Sequence, residues 1–350
     1  MGYRVALMRF RNVVVAGMAH VLPDESVTSS QIEQRLAALY DRLGLREGRL
    51  ELMTGIRERR FFAAGTRPSS VAARAGRAAM SSSGVERDRI GLLVHASVCR
   101  DFLEPSTASV VHHALELPAS AQAYDLSNAC LGFANAVTLA ASQIECGAIP
   151  AALIVAAENG RALVDATIEE LLARGTKQSL KQAFASLTIG AGGAAWVLAQ
   201  RSLAPGAPSL LGSTAMADTT AVELCQGDHA FGTAGPLMQT DSEGLLHAGN
   251  ALAARTFERF LEEQQWTRAM IQRVITHQVG VAHRRLLLDT LRLDKALDYP
   301  TVERLGNMGS VSLPLSFHEA LERGFVGSGE RVALLGIGSG LHCMMLAIQT

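Results

Sequence analysis

The sequence predicts an α/β protein built from two similar halves, and three observations carry that prediction. Short apolar runs alternate with helical stretches, which implies mainly parallel, buried sheets. The order of segments repeats along the chain. In the first half a helix around 69–83 leads to a strand at 90–95, a motif at 128–133, a strand at 152–156 and a glycine-rich strand at 190–199. In the second half a helix around 246–263 leads to a strand at 273–276, a motif at 306–310, a strand at 332–335 and a last one at 343–348, an order repetition that signals duplication. Between the two lies Ala204-Pro205-Gly206-Ala207-Pro208, a turn-rich linker. The halves are therefore expected over residues 1–204 and 205–350.

The elements follow from local chemistry. Residues 1–22 are apolar but broken by Arg4, Arg9 and Arg11, with no uninterrupted apolar core before a small-residue cleavage site, which argues against a signal peptide. Ala6 stands where a myristoylation pattern needs Ser or Thr. No run approaches the roughly 18 apolar residues of a membrane span. After the strand at 90–95 comes a loop in which Ser106 or Thr107 can open a helix over 108–117. Residues 123–126 read as the end of a strand. Residues 131–146 read as a helix with almost no charge, where Ala134, Ala136, Ala140 and Ala141 let other elements approach on every side, and a helix apolar all round is a buried one. Gly147 and Pro150 stop it. Residues 159–185 interrupt the first half with a helical pattern carrying Leu163, Ile168, Leu171, Leu172 and Leu180 among charges; it reads equally as a surface helical hairpin or as a lid over the site.

Composition narrows the function. The chain has 350 residues, 48% hydrophobic and 19% charged, enough for a large core and far from a disordered composition. A net charge of −1 offers no general attraction to nucleic acid or anionic lipid. Five irregularly spaced cysteines without a CxxC argue against a disulfide framework and against a zinc site, so a reducing, cytoplasmic setting is expected.

One cysteine differs from the rest. Cys130 lies in Asp125-Leu126-Ser127-Asn128-Ala129-Cys130-Leu131-Gly132-Phe133, between a strand and the buried helix. A strand, a sharp turn, a cysteine and a buried helix hold a nucleophile at the top of an α/β sheet. The positive end of the helix dipole is expected to favour the thiolate there. Two further motifs lie downstream, Val274-Ile275-Thr276-His277-Gln278-Val279-Gly280 and Gly306-Asn307-Met308-Gly309-Ser310-Val311-Ser312-Leu313-Pro314. Cys99, Cys146, Cys225 and Cys343 read as small buried hydrophobes.

Cys130, then a histidine at a strand end, then an asparagine in a glycine-rich turn resembles the condensing enzymes of the thiolase superfamily, in the ketoacyl synthase III branch, over nearly the whole chain. The resemblance implies a five-layered αβαβα fold from the two duplicated halves. It also implies an acyl-carrying Cys130, with His277 and Asn307 as donors to a thioester enolate. A second oxyanion hole is expected from the Cys130 N–H and an N–H of the glycine loop 336–340, at Gly338 or Ser339. An asparagine in the third place resembles the decarboxylating or Claisen branch rather than thiolases proper, which use a second cysteine. The loop Val98-Cys99-Arg100-Asp101-Phe102-Leu103-Glu104-Pro105-Ser106-Thr107-Ala108-Ser109 resembles that of the OleA-type head-to-head acyl-CoA condensing enzymes of bacterial olefin biosynthesis, where a glutamate reaches the partner subunit's site as a base. Thr54-Gly55-Ile56-Arg57, Asn128-Ala129-Cys130-Leu131 and Leu334-Leu335-Gly336-Ile337-Gly338-Ser339-Gly340-Leu341 extend that likeness.

Two departures set the chain apart from fatty-acid initiating synthases. Arg49 and Met53 stand where those enzymes carry a Trp and an Arg that grip coenzyme A, and no aspartate occurs in 187–193. The expected function is therefore a non-decarboxylative Claisen condensation of two long-chain acyl-CoAs to a 2-alkyl-3-keto acid through acyl-Cys130. Glu104 removes the α-proton that no loss of CO₂ can replace. No cofactor beyond the coenzyme A thioester substrates and no metal is implied. A homodimer is expected, with downstream pathway enzymes as further partners and no nucleic-acid or integral-membrane role. The alternatives are ketoacyl synthase III chemistry with a malonyl-carrier donor, which does not require Glu104, and a silent subunit of a heterodimeric enzyme, against which the intact Cys130, His277 and Asn307 argue.

Overall fold

The computed structural model of the chain describes residues 8–228 and 237–350; Arg4 and Ala6 of the opening segment lie outside them. The first half runs β1 (Met8–Arg9), β2 (Val13–Val21), β3 (Glu25–Thr28), α1 (Ser29–Arg35), α2 (Ala37–Leu43), α3 (Arg49–Thr54), β4 (Glu58–Phe61), α4 (Pro68–Ser83) and β5 (Ile90–His95). It continues with α5 (Thr107–Ala114), β6 (Gln122–Asp125), α6 (Gly132–Glu145), β7 (Ala151–Asn159), α7 (Arg161–Arg174), α8 (Lys177–Leu187) and β8 (Ala191–Gln200). The second half has β9 (Ser209–Ala217), β10 (Cys225–Asp228), β11 (Leu237–Thr240), α9 (Ser242–Gln264), β12 (Arg273–Thr276), α10 (Val281–Leu291), α11 (Val302–Leu305), α12 (Ser312–Glu322), β13 (Arg331–Gly338) and β14 (His342–Gln349).

The duplication is visible in the strand order. The first half orders its strands β6-β5-β7-β8-β2, and the second orders β12-β13-β14-β9. β5 in the first half and β12 in the second are each parallel to the inner neighbour, β7 and β13, and the next two ladders of each half are antiparallel. The second half lacks only a full outer strand, of which a single bridge, Val274 to Asp298, remains. The two sheets meet through one pair, Val14 with Ser209. Alternation of strands and helices suggested mainly parallel sheets, and here the structure corrects it: each sheet is mixed. Where three residues join β13 to β14, only an antiparallel neighbour can be reached, because a parallel one needs a crossover of a dozen residues or more.

Helices fill the space between and outside the two sheets, giving the five-layered αβαβα fold of the thiolase type. The middle layer is α6 and α12, whose buried residues share one core with the inward faces of both sheets. Ala134, Ala136, Ala140 and Ala141 are all at most 2% exposed, so the small side chains of α6 do set how closely the sheets approach. Trp196 of β8 lies between Phe133 of α6 and Phe317 of α12, with ring centroids 5.3 and 5.6 Å away. One outer layer packs α4, α5 and their neighbours on the first sheet, and the other packs α9 and α10 on the second.

The stretch 159–185 forms a helical hairpin, α7 and α8. Val164, Ile168, Leu171 and Leu180 are buried, and α8 hydrogen-bonds across to β11 through Ser186 Oγ and Met238 O. No helix among the described residues is long and apolar enough to cross a membrane.

The three-ring contact generates a stability prediction. Phe317→Ala should remove about 3–5 kcal/mol by opening a cavity in the middle layer. Chemical denaturation should show a lower midpoint with an unchanged slope; an unchanged midpoint would mean that α12 is not held through this ring.

Candidate active site

Cys130 sits on a sharp turn between β6 and α6. Ala129, just before it, has φ +45°, a left-handed conformation that a residue with a side chain adopts only under constraint. Asn128 Nδ2 donates to Asn135 Oδ1 one turn into α6, which pins the turn to the helix. The thiol lies one residue ahead of the helix N-cap, Leu131, and not within the first turn. Cys130 keeps partial surface exposure, but burial of the sulfur, with the Glu158 carboxylate next in effect, pushes its pKa up to about 12. The thiolate expected from the helix dipole is thus not the resting state, because desolvation of a charged sulfur outweighs a half-charge at the helix end.

His277 follows β12, and its backbone N–H donates to Leu335 O of β13 at 2.8 Å. Both neighbours are tied down. Thr276 donates through N and Oγ1 to Asp298, and Gln278 bonds the backbone of Tyr299, Thr301 and Val302. The ring itself is 1% exposed, and neither nitrogen has a protein partner. Burial, reinforced by His283 nearby, lowers its pKa to about 3. A neutral imidazole held rigidly with its nitrogens free is a hydrogen-bond donor waiting for a ligand oxygen.

Asn307 is clamped against the segment that joins α8 to β8. Its N–H donates to Thr188 O and its carbonyl accepts from Gly190 N–H, at 2.9 and 2.8 Å, so the residues that close the α7–α8 hairpin also hold the asparagine. Gly306, at φ +67° with space for a Cβ only 2.6 Å from Thr188 O, makes the turn possible. Asn307 Oδ1 accepts the Gly309 N–H at 3.0 Å, which leaves Nδ2 as the outward donor.

The predicted glycine loop 336–340 is mostly strand. β13 runs through Gly338, and only 339–341 form the turn, because the Gly338–His342 pair closes the ladder there. Gly338 nonetheless comes close to Cys130: a Cβ on it would lie 3.5 Å from Cys130 N and 3.2 Å from Leu131 Cγ. Backbone of β13 and the Cys130 N–H thus share one place. Ser339 lies in the turn itself.

Glu104 is not brought into this chain's own site. It stands exposed on the loop between β5 and α5, beside Phe102 and Leu103, the latter 89% exposed. The base of the loop is rigid. Asp101 accepts from Ser69 N and Oγ, and Asp125 accepts from Thr107 N and Ala108 N.

Sequence reasoning missed Glu158. This carboxylate lies one residue before the end of β7, and it accepts from Val98 N, Cys99 N and Ser310 Oγ at 3.0, 3.1 and 2.7 Å. It therefore ties the Glu104 loop to the Asn307 turn beside Cys130. Burial raises its pKa. The available signal was a single acid closing the otherwise apolar run 151–158 at the carboxyl edge of a sheet. Beside the Cys130 turn, a cavity of about 200 Å³ opens between Leu131, the N-cap of α6, and Asn135 on one side and Met216, Cys343 and Met344 of the second sheet on the other.

Comparison with known proteins agrees with this fold. Residues 51–184 match the N-terminal domain of thiolase, and residues 261–350 match the C-terminal part of 3-oxoacyl-[acyl-carrier-protein] synthase III. The chain is 37% identical to the acyl-CoA:acyl-CoA alkyltransferase of Shewanella oneidensis, over 98% of this chain and all of the relative. It is 35% identical to the enzyme of the same name from Xanthomonas campestris, over 97% and 99%. The β-ketoacyl-[acyl-carrier-protein] synthase III of Neisseria meningitidis is 27% identical over 96% and 98%. The crystal structure of cerulenin-bound Xanthomonas campestris OleA is similar with a TM-score of 0.94, at 34% identity and full coverage of both chains.

Two outcomes follow from the electrostatics. With its pKa up at about 12, Cys130 should be alkylated by iodoacetamide at a rate that rises about tenfold per pH unit from pH 6 to 10, read by peptide mass spectrometry. A plateau below pH 8 would show a low-pKa thiolate instead. Glu158→Gln removes a negative charge beside the thiol and leaves one loop N–H without an acceptor. It should speed Cys130 alkylation at fixed pH while slowing acyl condensation about tenfold or more; both rates falling together would reduce Glu158 to a packing role.

Proposed function

The chain belongs to the acyl-CoA:acyl-CoA alkyltransferase family of thiolase-fold condensing enzymes, and we propose that it joins two long-chain fatty acyl-CoAs head to head to a 2-alkyl-3-keto acid. The observation that carries this reading is the full-length identity, 37% to an alkyltransferase against 27% to a ketoacyl synthase III.

The residues supply each step. The Cys130 sulfur attacks the first acyl-CoA at its carbonyl carbon; the carbon–sulfur bond to coenzyme A breaks, and the thiol proton ends on the departing sulfur. The Cys130 N–H and the adjoining β13 backbone receive the oxyanion. The second acyl-CoA loses an α-proton to Glu104 of the partner subunit, and the enolate oxygen takes hydrogen bonds from neutral His277 and from Asn307 Nδ2. The enolate carbon then attacks the acyl-Cys130 carbonyl, and the Cys130 sulfur leaves as thiolate and regains the proton that Glu104 took. Hydrolysis of the remaining thioester yields the keto acid and the second coenzyme A.

A neutral His277 suits this role. Its pKa of about 3 keeps the ring uncharged over the working range, so it donates a hydrogen bond without competing as a base for the α-proton. The cavity beside Leu131 and Asn135 is a natural start for an acyl channel. Coenzyme A thioesters are the substrates in this reading, with no further cofactor. The enzyme works in the cytoplasm as a homodimer, its two halves spanning 1–204 and 205–350, and passes its product to downstream pathway enzymes. The exposed apolar tip Val98, Phe102 and Leu103 around Glu104 supports the dimer, since such a patch is expected to be covered.

Complementation tests the reading. Glu104→Ala should still take an acyl group onto Cys130 but condense about 10²–10⁴ more slowly, and Cys130→Ala should do neither. Co-expressed, the two inactive variants should regain activity, because mixed dimers unite one intact Cys130 with the other subunit's Glu104. Full activity of Glu104→Ala, or no recovery in the mixture, would overturn a base supplied in trans.

A further inference from the structure

Away from the condensing site, and among the described residues, His20, His318 and Glu322 offer ligand atoms that all lie within 4.8 Å of one another. They come from two elements. His20 is on β2, and His318 and Glu322 lie four residues apart on α12, which puts them on one helix face. The two Nδ1 atoms face each other at 2.9 Å. Glu322 oxygens stand 3.8 Å from His20 Nδ1 and from His318 Nε2. The imidazoles are mostly covered, with side chains 19% and 17% exposed, while Glu322 is 54% exposed.

The arrangement fits an ion in three respects. Two imidazoles that meet nitrogen to nitrogen can share one proton, but a bound cation satisfies both lone pairs at once. Glu322 has no lysine or arginine partner among the described residues, unlike Glu319 one turn earlier, which pairs with Arg304 and Arg323. Finally, ligand atoms about 2.0–2.2 Å from a tetrahedral zinc stand roughly 3.3–3.5 Å apart. The Nδ1–Nδ1 pair must open and the His20 Nδ1–Glu322 pair must close, each by about half an ångström; the contact from His318 to Glu322 runs from Nε2, so the exposed carboxylate is the ligand that swings to meet the two Nδ1 atoms.

We propose that His20, His318 and Glu322 form a site for a borderline divalent transition-metal ion, best matched by Zn²⁺, that fastens β2 to the middle-layer helix α12. Two imidazole nitrogens with one carboxylate select this class over Mg²⁺ or Ca²⁺, which take oxygen ligands. Three protein ligands leave a fourth position for water. The cysteine pattern that argued against zinc does not bear on this set, which contains no sulfur. α12 begins directly after the turn that carries Asn307, so the ion braces the helix behind the enolate donors without touching substrate.

The full-length protein, stripped with a chelator, is titrated with Zn²⁺ by calorimetry and with Co²⁺ by absorbance. The expected result is one saturable ion per chain, visible Co²⁺ bands without a thiolate charge-transfer band, and a rise in Tm. Binding should weaken at least about tenfold in both His318→Gln and Glu322→Gln; Glu322 is exposed, so its variant folds as the parent does. Less than one equivalent bound, a sulfur charge-transfer band, or parent-like affinity in both variants would overturn the site.

Discussion

The condensing site depends on one buried carboxylate. Glu158 stands one residue before the end of β7, where it binds two N–H groups of the Glu104 loop and the hydroxyl of Ser310 in the Asn307 turn. Burying a carboxylate is costly unless its oxygens are satisfied, and here three donors meet it. Because those donors come from different loops, neither loop can move without leaving the charge exposed to an apolar interior. After burial itself, the carboxylate is the next cause that pushes the Cys130 pKa up. Glu158 thus fixes how the two loops sit and adds to what burial does to the thiol.

The same dryness decides the chemistry. Cys130 and His277 are both pushed toward their neutral forms, one thiol upward and one imidazole downward, and in both cases desolvation is the first cause. A neutral pair suits a site that handles uncharged thioesters and meets charge only as the oxyanion or enolate forms. Donors held ready by Thr276, Gln278 and Gly309 need no rearrangement at that moment. Asp125 and Asp298 show how the duplication serves this purpose: in each half an aspartate lying one strand over secures the loop or strand end that feeds the site.

Much of this was legible in the sequence. The strand at 90–95, the alanine-lined helix after Cys130 and the order repetition all have periodic or compositional signatures that survive without contacts. The Cys130, His277 and Asn307 motifs are equally local. Strand direction was not legible, because it depends on which neighbour a strand reaches after a turn such as 339–341. Glu158 escaped because its role is made of donors from Val98, Cys99 and Ser310, residues remote from it in the chain. The charge of Cys130 was misjudged for a related reason: the helix dipole can be read from sequence, whereas desolvation depends on the whole surrounding fold. The His20, His318 and Glu322 group likewise exists only once β2 lies against α12.

The fold, the family and the site all fit carbon–carbon bond formation between two acyl-CoAs without a decarboxylating donor. The most direct measurement is to incubate the purified protein with myristoyl-CoA as sole substrate and to identify the products by mass spectrometry. The account predicts free coenzyme A together with the 2-alkyl-3-keto acid formed from two myristoyl units. A product that appears only when malonyl-carrier protein is added would contradict it and assign the site to decarboxylative condensation.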